Sequence, residues 1–488
     1  MQNMTYVSNA KRYLSGLLLV LTPWILLSII TALFAKNSMF MLTPYWNDEL
    51  SYWHEVLSFS TKGLNFGYYT INEILPNTLS FGNHGFGTVS VYTAYAKLFG
   101  WNYYSIAISN NVFISIAFFL LILIVKPTTK TTLLISLFYI TYTPLILYCS
   151  TSMSELMNFA TLIVYFSLLF SYINYDSKRR NIILFILIFF CISISFIRII
   201  NIILFLPIIF YYNKDLKFNG KMIILLTGWI IFSIFLFLVN SHFVSPYPYS
   251  FLSELFSIST IFDFTIFFLK HLCLNILRFF YPFRDDFIQV LQRYLVFSLI
   301  IWFFIKSRVL KYKTSKIDMF YFSAFILIFL SLLITFTAYD VFNWRDYRVI
   351  TPLIFGIILF FILSNRLQII KIFFLVNLFG LIILFLSPRI QVEFLTNSHR
   401  YTRPKNNVAL NKIQYSEKAI SKFKNTLVID NYDEDVFLNT PAGIGITFSD
   451  TISDKLQSRY IYTHTPRELK SYQQIIKSKN GILYQKKI

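Results

Sequence analysis

The sequence predicts an all-α polytopic membrane protein of about eleven membrane segments over residues 1–387, followed by a small α/β domain, 388–488, outside the membrane. Three observations carry this. Of 488 residues, 56% are hydrophobic and 14% charged, whereas a soluble domain carries roughly 25% charged residues. Apolar stretches of about 18 or more residues recur, each long enough for a ~30 Å hydrocarbon core. Hydrophobicity falls from Pro388, beyond which come strand-like runs at Thr426 to Asp430 and Gly443 to Phe448 and a helical pattern near Pro466 to Ser478.

Taken in chain order, the first apolar run, Leu14 to Phe34, is too long for a signal-peptide core and ends without a small-residue cleavage site, so it reads as a retained helix. Ser105 to Val125, Thr131 to Tyr148, Glu155 to Tyr172, Met222 to Ser241, Ile288 to Ile305, Met319 to Ala338, Val349 to Ser364 and Ile372 to Ser387 read as further spans. The stretch Ile182 to Tyr212 holds Arg198 and Pro207 and is too long for one helix yet short for two; a pair of short helices, tilted or re-entrant, fits best. Cys149, Cys191 and Cys273 lie in or beside apolar runs without the spacing of a disulfide framework or zinc site.

The formal net charge of +20 does not mark a nucleic-acid binder, because Lys and Arg fall between hydrophobic segments instead of along one face. They mark orientation. One set of alternate loops, including Lys126, Lys130, Arg179, Arg180, Lys311 and Lys371, holds most of the membrane domain's basic residues and reads as cytoplasmic. The N-terminus then faces the cytoplasm, and the long first loop, residues 35–104, and the C-terminal domain face outward. All six histidines and most carboxylates of the membrane domain fall on that outer side.

The first outer loop reads YWNDELSYWHEV. Asp48 and Glu49 repel each other, so one suits general-base work or both are held ionised by a cation or a basic partner. The alternative is a solvated acidic pair favoured by the dipole of a helix N-terminus. His54 and Glu55 supply too few ligands, pointing too differently, for a metal site. Farther on, Asn83, His84 and Gly85 open an aromatic amphipathic segment that ends near Trp101; His84 either binds substrate or is a polar interfacial residue.

Glu155 opens a membrane helix, either as a cap or at headgroup depth as a substrate contact. Arg345 and Arg348, in YDVFNWRDYRVITP, share a face if that turn is helical and suit a phosphate, or else they snorkel and pair with Asp340 and Asp346. Arg198 sits within a membrane segment, where an unpaired cation is expensive; it faces a cavity or a buried partner. The loop from His242 to Gln289, with Arg284 among its charges, suggests helices lying along the interface.

Five short features follow one another on the same side: Asp48-Glu49, the His84 to Gly100 stretch, the Ser154-Glu155 step, Arg198 to Pro207, and Asp346-Tyr347-Arg348 to Pro352. In this order they resemble the GT-C class of integral-membrane glycosyltransferases, the group that includes protein O-mannosyltransferases and the aminoarabinose transferase that modifies lipid A. The resemblance implies a GT-C-like membrane domain and an isoprenoid-phosphate-linked sugar donor bound at the outer interface of a bacterial-type inner (plasma) membrane. It implies that Asp48 acts as base toward a glycan, lipid or protein acceptor, with inversion. Glu49 and Glu155 would position the acceptor, the sugar or a divalent cation, Mg or Mn. Arg345 and Arg348 would neutralise the departing phosphate, with Lys97 and Arg284 as weaker candidates. A polymerase or ligase of lipid-linked oligosaccharides is the related alternative. A flippase or transporter would instead place polar groups near the midplane, and a noncatalytic assembly subunit would not need Asp48.

Overall fold

The computed structural model describes residues 2–63, 67–75, 81, 85–175, 177–213, 219–244, 260–280, 287–307, 315–338, 348–387, 395–416 and 422–487. Seven helices are long and apolar enough to cross a bilayer: Ala10–Phe34, Ser105–Val125, Glu155–Asn174, Arg179–Ile197, Gly220–His242, Lys316–Thr337 and Gln368–Leu386. Shorter apolar helices cover Ile199–Asn213, Phe297–Ser307 and Thr351–Leu363. The chain is a multi-pass membrane protein, mostly helical, with a small sheet near its C-terminus.

Local chemistry explains where the helices depart from the segments expected. The run Thr131 to Tyr148 is broken into α-helices Thr129–Thr141 and Thr143–Tyr148. Pro144 stands in the first turn of the second, where its missing N–H costs nothing, but its ring opposes a continuous helix through Thr143. The stretch Ile182 to Tyr212 is not two equal short helices. It is one full-length helix, Ser177–Ile197, a reversal at Arg198, then a short return through a 3₁₀ turn, Ile199–Leu204, and the helix Phe205–Asn213. The return brings its end back beside its start, since Arg180 Nη2 donates to the Tyr211 carbonyl at 3.4 Å.

The helix Glu155–Asn174 is buried over 83% of its apolar window, which makes it the central post of the bundle. Its neighbours include Ser105–Val125 and Thr351–Leu363. Outside the spans, Asn47–Lys62 and Gly85–Phe99 follow the first membrane helix and pack on each other, and the apolar-faced helix Ile261–Phe280 packs beside Lys316–Ala338.

The C-terminal sheet has six strands in the order β1-β3-β2-β4-β6-β5. They are β1 Tyr69–Ile71, β2 Thr426–Ile429, β3 Gly445–Phe448, β4 Tyr460–Thr463, β5 Tyr472–Lys477 and β6 Ile482–Lys486. β1 to β4 are parallel neighbours through β3 and β2, and β6 and β5 close the far edge antiparallel. Two expectations change here. The helical pattern near Pro466 to Ser478 is instead strand β5, because pairing with β6 outweighs local periodicity. The sheet also takes its edge strand from the segment between the first membrane helix and Gly85–Phe99, so the unit expected to begin at Pro388 includes residues 69–71 as well.

Further contacts fasten the sheet to Asn47–Lys62. His54 Nε2 lies 2.7 Å from the Ile444 carbonyl, and Gly443 N donates to Ser58 Oγ at 3.0 Å. Burial holds the His54 imidazole down to about 4, so it is neutral and gives its Nε2 proton to that carbonyl. This is a structural role for a histidine that resembled half of a metal pair.

Candidate active site

Asp48 lies in the first turn of Asn47–Lys62, Glu155 is the first residue of its helix, Arg198 is the reversal after Ser177–Ile197, and Arg348 precedes Thr351–Leu363. All four sit at or just beyond helix ends, where the chain leaves regular structure and a charged side chain can turn inward. The fold brings them into one chain of alternating charge. Arg348 Nη2 reaches Asp48 Oδ2 at 3.2 Å, Arg348 Nε faces Glu155 Oε1 at 3.4 Å, and Arg198 Nη2 meets the same Glu155 oxygen at 2.6 Å.

Exposure is graded along the network. Glu155 and Arg198 are 0% and 6% exposed, while Arg348 and Asp48 are 21% and 30% exposed. The inner pair is therefore a fixed anchor, because leaving either charge alone in a dry environment would cost several kcal/mol. The outer pair is the part that a substrate can reach.

Polar side chains hold this anchor in register. Asn158, one turn after Glu155, accepts from Asn201 Nδ2 at 3.1 Å, so the 3₁₀ turn after Arg198 is tied to the same helix face. Tyr92 donates to Asn110 at 2.7 Å, and Asn110 Nδ2 donates to the Met153 carbonyl at 2.9 Å, fixing the turn that leads into Glu155. Gly87 lets Gly85–Phe99 press on the end of Ser177–Ile197: a Cβ there would meet the Phe196 carbonyl oxygen at 2.2 Å. The next residue, Thr88, donates to the Ile197 carbonyl at 3.2 Å, immediately before Arg198.

Glu49 is spent on structure. Its Oε2 accepts from the backbone N–H groups of Tyr45 at 2.7 Å and Trp46 at 3.2 Å, the reach-back of a helix N3 carboxylate. Its Oε1 accepts from Ser152 N at 3.0 Å, and Arg400 Nη1 donates to the two oxygens at 2.8 and 3.1 Å. With both side chains 0% exposed, this carboxylate knots the start of the helix Asn47–Lys62, the turn before Glu155 and the C-terminal segment together. The guanidinium of Arg400 also lies 4.2 Å from the Trp46 ring centroid, a cation–π contact.

The surroundings of the network are aromatic. Burial first, and then the negative charges of Asp48 and Glu155, push the Tyr52 hydroxyl well up, so it stays a neutral phenol beside the carboxylates. Tyr432, in the loop after β2, is pushed up to about 12 by burial and by Asp48 and Asp450. The carboxyl-end loop of the parallel strands thus overlooks Asp48, the edge of an α/β sheet where ligand sites commonly lie. Tyr432 stacks on Phe448 with centroids 4.9 Å apart, giving that edge a flat apolar face.

Of the residues singled out in the sequence, Asp48, Glu155, Arg198 and Arg348 converge, and Glu49 supports them from outside the network. Lys97 is exposed at the last turn of its helix and takes no part in the network. His84, Arg284 and Arg345 lie outside the described residues. The structure adds Arg400, Tyr52 and Tyr432, which carry no distinguishing signal in the sequence: Arg400 lies in a polar segment and the two tyrosines are among 33. Among the described residues the site does not fit a divalent cation: the Arg348 guanidinium lies between the carboxylates of Asp48 and Glu155, and no three His, Cys, Asp or Glu side chains converge on one point.

No protein-family model matches the sequence, and no curated protein matches it. Among solved structures, the fold is similar to an oligosaccharyltransferase from Archaeoglobus fulgidus, crystallised tethered with an acceptor peptide containing the NVT sequon. The TM-score is 0.44 at 12% identity, covering 89% of this chain and 64% of that one. The chain thus spans less than two thirds of that protein's length.

Proposed function

We propose that this protein is a membrane glycosyltransferase. It moves a sugar from an isoprenoid-phosphate-linked donor to a hydroxyl of an envelope glycan, lipid or protein, on the outer face of the inner membrane and with inversion. The observation that carries this reading is the Asp48–Arg348–Glu155–Arg198 network: a partly exposed acid and arginine side by side, backed by a buried ion pair, at one end of the helix bundle.

Each group has a role that its surroundings permit. Asp48 takes the proton of the acceptor hydroxyl as that oxygen bonds to the anomeric carbon; the bond from that carbon to the phosphate oxygen breaks, and the lipid phosphate departs with the electron pair. Arg348, held between Asp48 and Glu155, turns its guanidinium to the departing phosphate and neutralises the charge that develops there. Arg345 is a second arginine for the same phosphate. Glu155 and Arg198 keep Arg348 from collapsing onto Asp48 alone, and Glu49 holds the first turn that carries Asp48. Tyr432, partly exposed, flanks the acceptor side with a neutral phenol suited to sugar hydroxyls and faces, while the buried Tyr52 backs the carboxylates from within.

A transporter would need its polar groups near the bilayer midplane and access from both sides. Here the network gathers helix termini at one end of the bundle, which favours interfacial chemistry. Mass spectrometry of isoprenoid-phosphate-linked sugars and envelope glycans tests the reading in a deletion strain complemented with the wild-type chain or with Asp48→Asn. A missing sugar residue together with an accumulating lipid-phosphate monosaccharide, in both deletion and variant, is the expected result. Accumulation of longer lipid-linked repeats would reassign the chain to polymerisation or ligation. Full rescue by Asp48→Asn would remove the enzyme reading.

A further inference from the structure

A groove of about 590 Å³ runs between the helix Thr129–Thr141 and the helix Leu367–Leu386, at the end of the bundle away from the charge network. Its place follows from topology. Ser105–Val125 leaves the network end and delivers the chain to Thr129, and Thr351–Leu363 starts beside Arg348 and delivers it to Leu367. Both walls therefore begin on the side that the charge asymmetry of the loops marks as cytoplasmic.

The walls are helix faces. Leu134, Leu137 and Thr141 recur at three- and four-residue spacing on one side, and Phe374 and Leu378 do so on the other. The cleft closes where Gly380 on the second wall faces Thr143, the first residue of the short helix that follows the first wall; a Cβ on Gly380 would lie 2.7 Å from Thr143 Oγ1. Every lining residue of the first wall precedes Thr143 in the chain and every one of the second precedes Gly380, so the cleft opens toward the N-termini of the two wall helices. There it is flanked by Lys130 and Lys371, both exposed, and no carboxylate lines it.

An apolar cleft with two cations at its mouth is complementary to one kind of molecule in this solvent, an amphiphile with an anionic head. From Lys130 to Thr141 the helix rises about 16 Å, roughly half of a ~30 Å hydrocarbon core. That depth suits the acyl chain of a lipid in one leaflet, not a chain that crosses both. We propose that this groove binds one anionic phospholipid of the cytoplasmic leaflet, with an acyl chain along Leu134, Leu137, Phe374 and Leu378 and its phosphate between Lys130 and Lys371. Basic pockets between transmembrane helices at that surface hold acidic headgroups for the same reason. Such a lipid would brace the broken helix at Tyr142 against the last membrane helix, on the face opposite the candidate active site.

Native mass spectrometry of the full-length protein in detergent, with stepwise addition of dioleoylphosphatidylglycerol or dioleoylphosphatidylcholine, tests this. One phosphatidylglycerol is expected to be retained preferentially. The Lys130→Gln/Lys371→Gln double variant should lose about fivefold in that preference per lysine, about thirtyfold in all. Leu134→Trp, which fills the cleft and leaves both lysines in place, should also displace the lipid. Arg179→Gln/Lys221→Gln removes two cations from the same surface outside the groove and should leave the preference unchanged. Equal retention of the two lipids by the wild-type chain, or an equal loss in both double variants, would overturn the proposal.

Discussion

Arg400 and Glu49 stand 351 residues apart and form an ion pair with both side chains 0% exposed. Glu49 also accepts three backbone N–H groups, so the two partners are not equivalent. Glu49→Leu would leave a buried guanidinium without its carboxylate and three amides without an acceptor, and is expected to cost about 3–5 kcal/mol or more. Arg400→Met leaves a carboxylate still held by amides and should cost less, and Arg400→Lys less again. Apparent unfolding temperatures in detergent check the ranking; a more damaging Arg400→Met would contradict it.

Asp48 and Arg348 form the accessible half of the network. Asp48→Asn is expected to lower sugar transfer by about 10²–10⁴-fold, and Arg348→Gln by roughly 10²–10³-fold, with normal amounts of protein in the membrane. Radiolabel transfer in membranes, normalised to the protein present, reads both. Loss of protein in proportion to activity would make these residues structural.

The inner pair should behave differently. Glu155→Gln leaves Arg198 buried without its charge partner and is expected to lower the yield of folded protein, as is Arg198→Met. A double-mutant cycle on unfolding temperature should show coupling, equivalent to about 0.5–3 kcal/mol. Additive single effects would mean that the 2.6 Å contact contributes nothing specific.

Two histidines give opposite pH signatures. His54 is held down to about 4 by burial, against about 6.5 in the unfolded chain, so the unfolded state binds its proton first. Its stabilisation is complete above about pH 6.5 and is lost as pH falls toward 4. In His464 partial burial pulls the imidazole down, but the hydrogen bonds to Asp433 and Asp430 outweigh it and raise the pKa. That stabilisation is present below about pH 6.5 and is lost as pH rises through the folded value. Unfolding temperature against pH should therefore be flatter on the acid side in His54→Gln than in the wild type. His464→Asn should lose stability chiefly at low pH. The same slope in all three proteins would refute both assignments.

Gly87→Ala should impair function without touching the network. The added methyl would meet the Phe196 carbonyl at 2.2 Å, which forces backbone apart where Arg198 is set. A cost of about 1–3 kcal/mol is expected, with reduced transfer, while Gly100→Ala, where a Cβ meets nothing within 4 Å, loses stability only through its positive φ. Equal loss of transfer in both variants would show that the close approach at Gly87 is unimportant.

Charges beside apolar runs are legible in a sequence because hydrocarbon makes them costly, and Asp48, Glu155, Arg198 and Arg348 stand out for that reason. Arg400 lies in a polar segment where a charge draws no notice, yet the fold buries it completely. Strand β1 is three residues long, too short to show a period, and exists because β3 offers it an edge. Glu49 looked like half of a reactive carboxylate pair, and its hydrogen-bond partners turn it into a structural knot.

Composition and periodicity alone determined that this chain enters the membrane repeatedly and that its unusual charges stand beside apolar runs, because transfer to hydrocarbon depends on each residue and its near neighbours. Only the tertiary structure decided which charge meets which, that Arg348 stands between Asp48 and Glu155, and that residues 69–71 supply an edge strand to the C-terminal sheet. Those contacts join residues up to hundreds of positions apart, and no local preference specifies a partner at that distance.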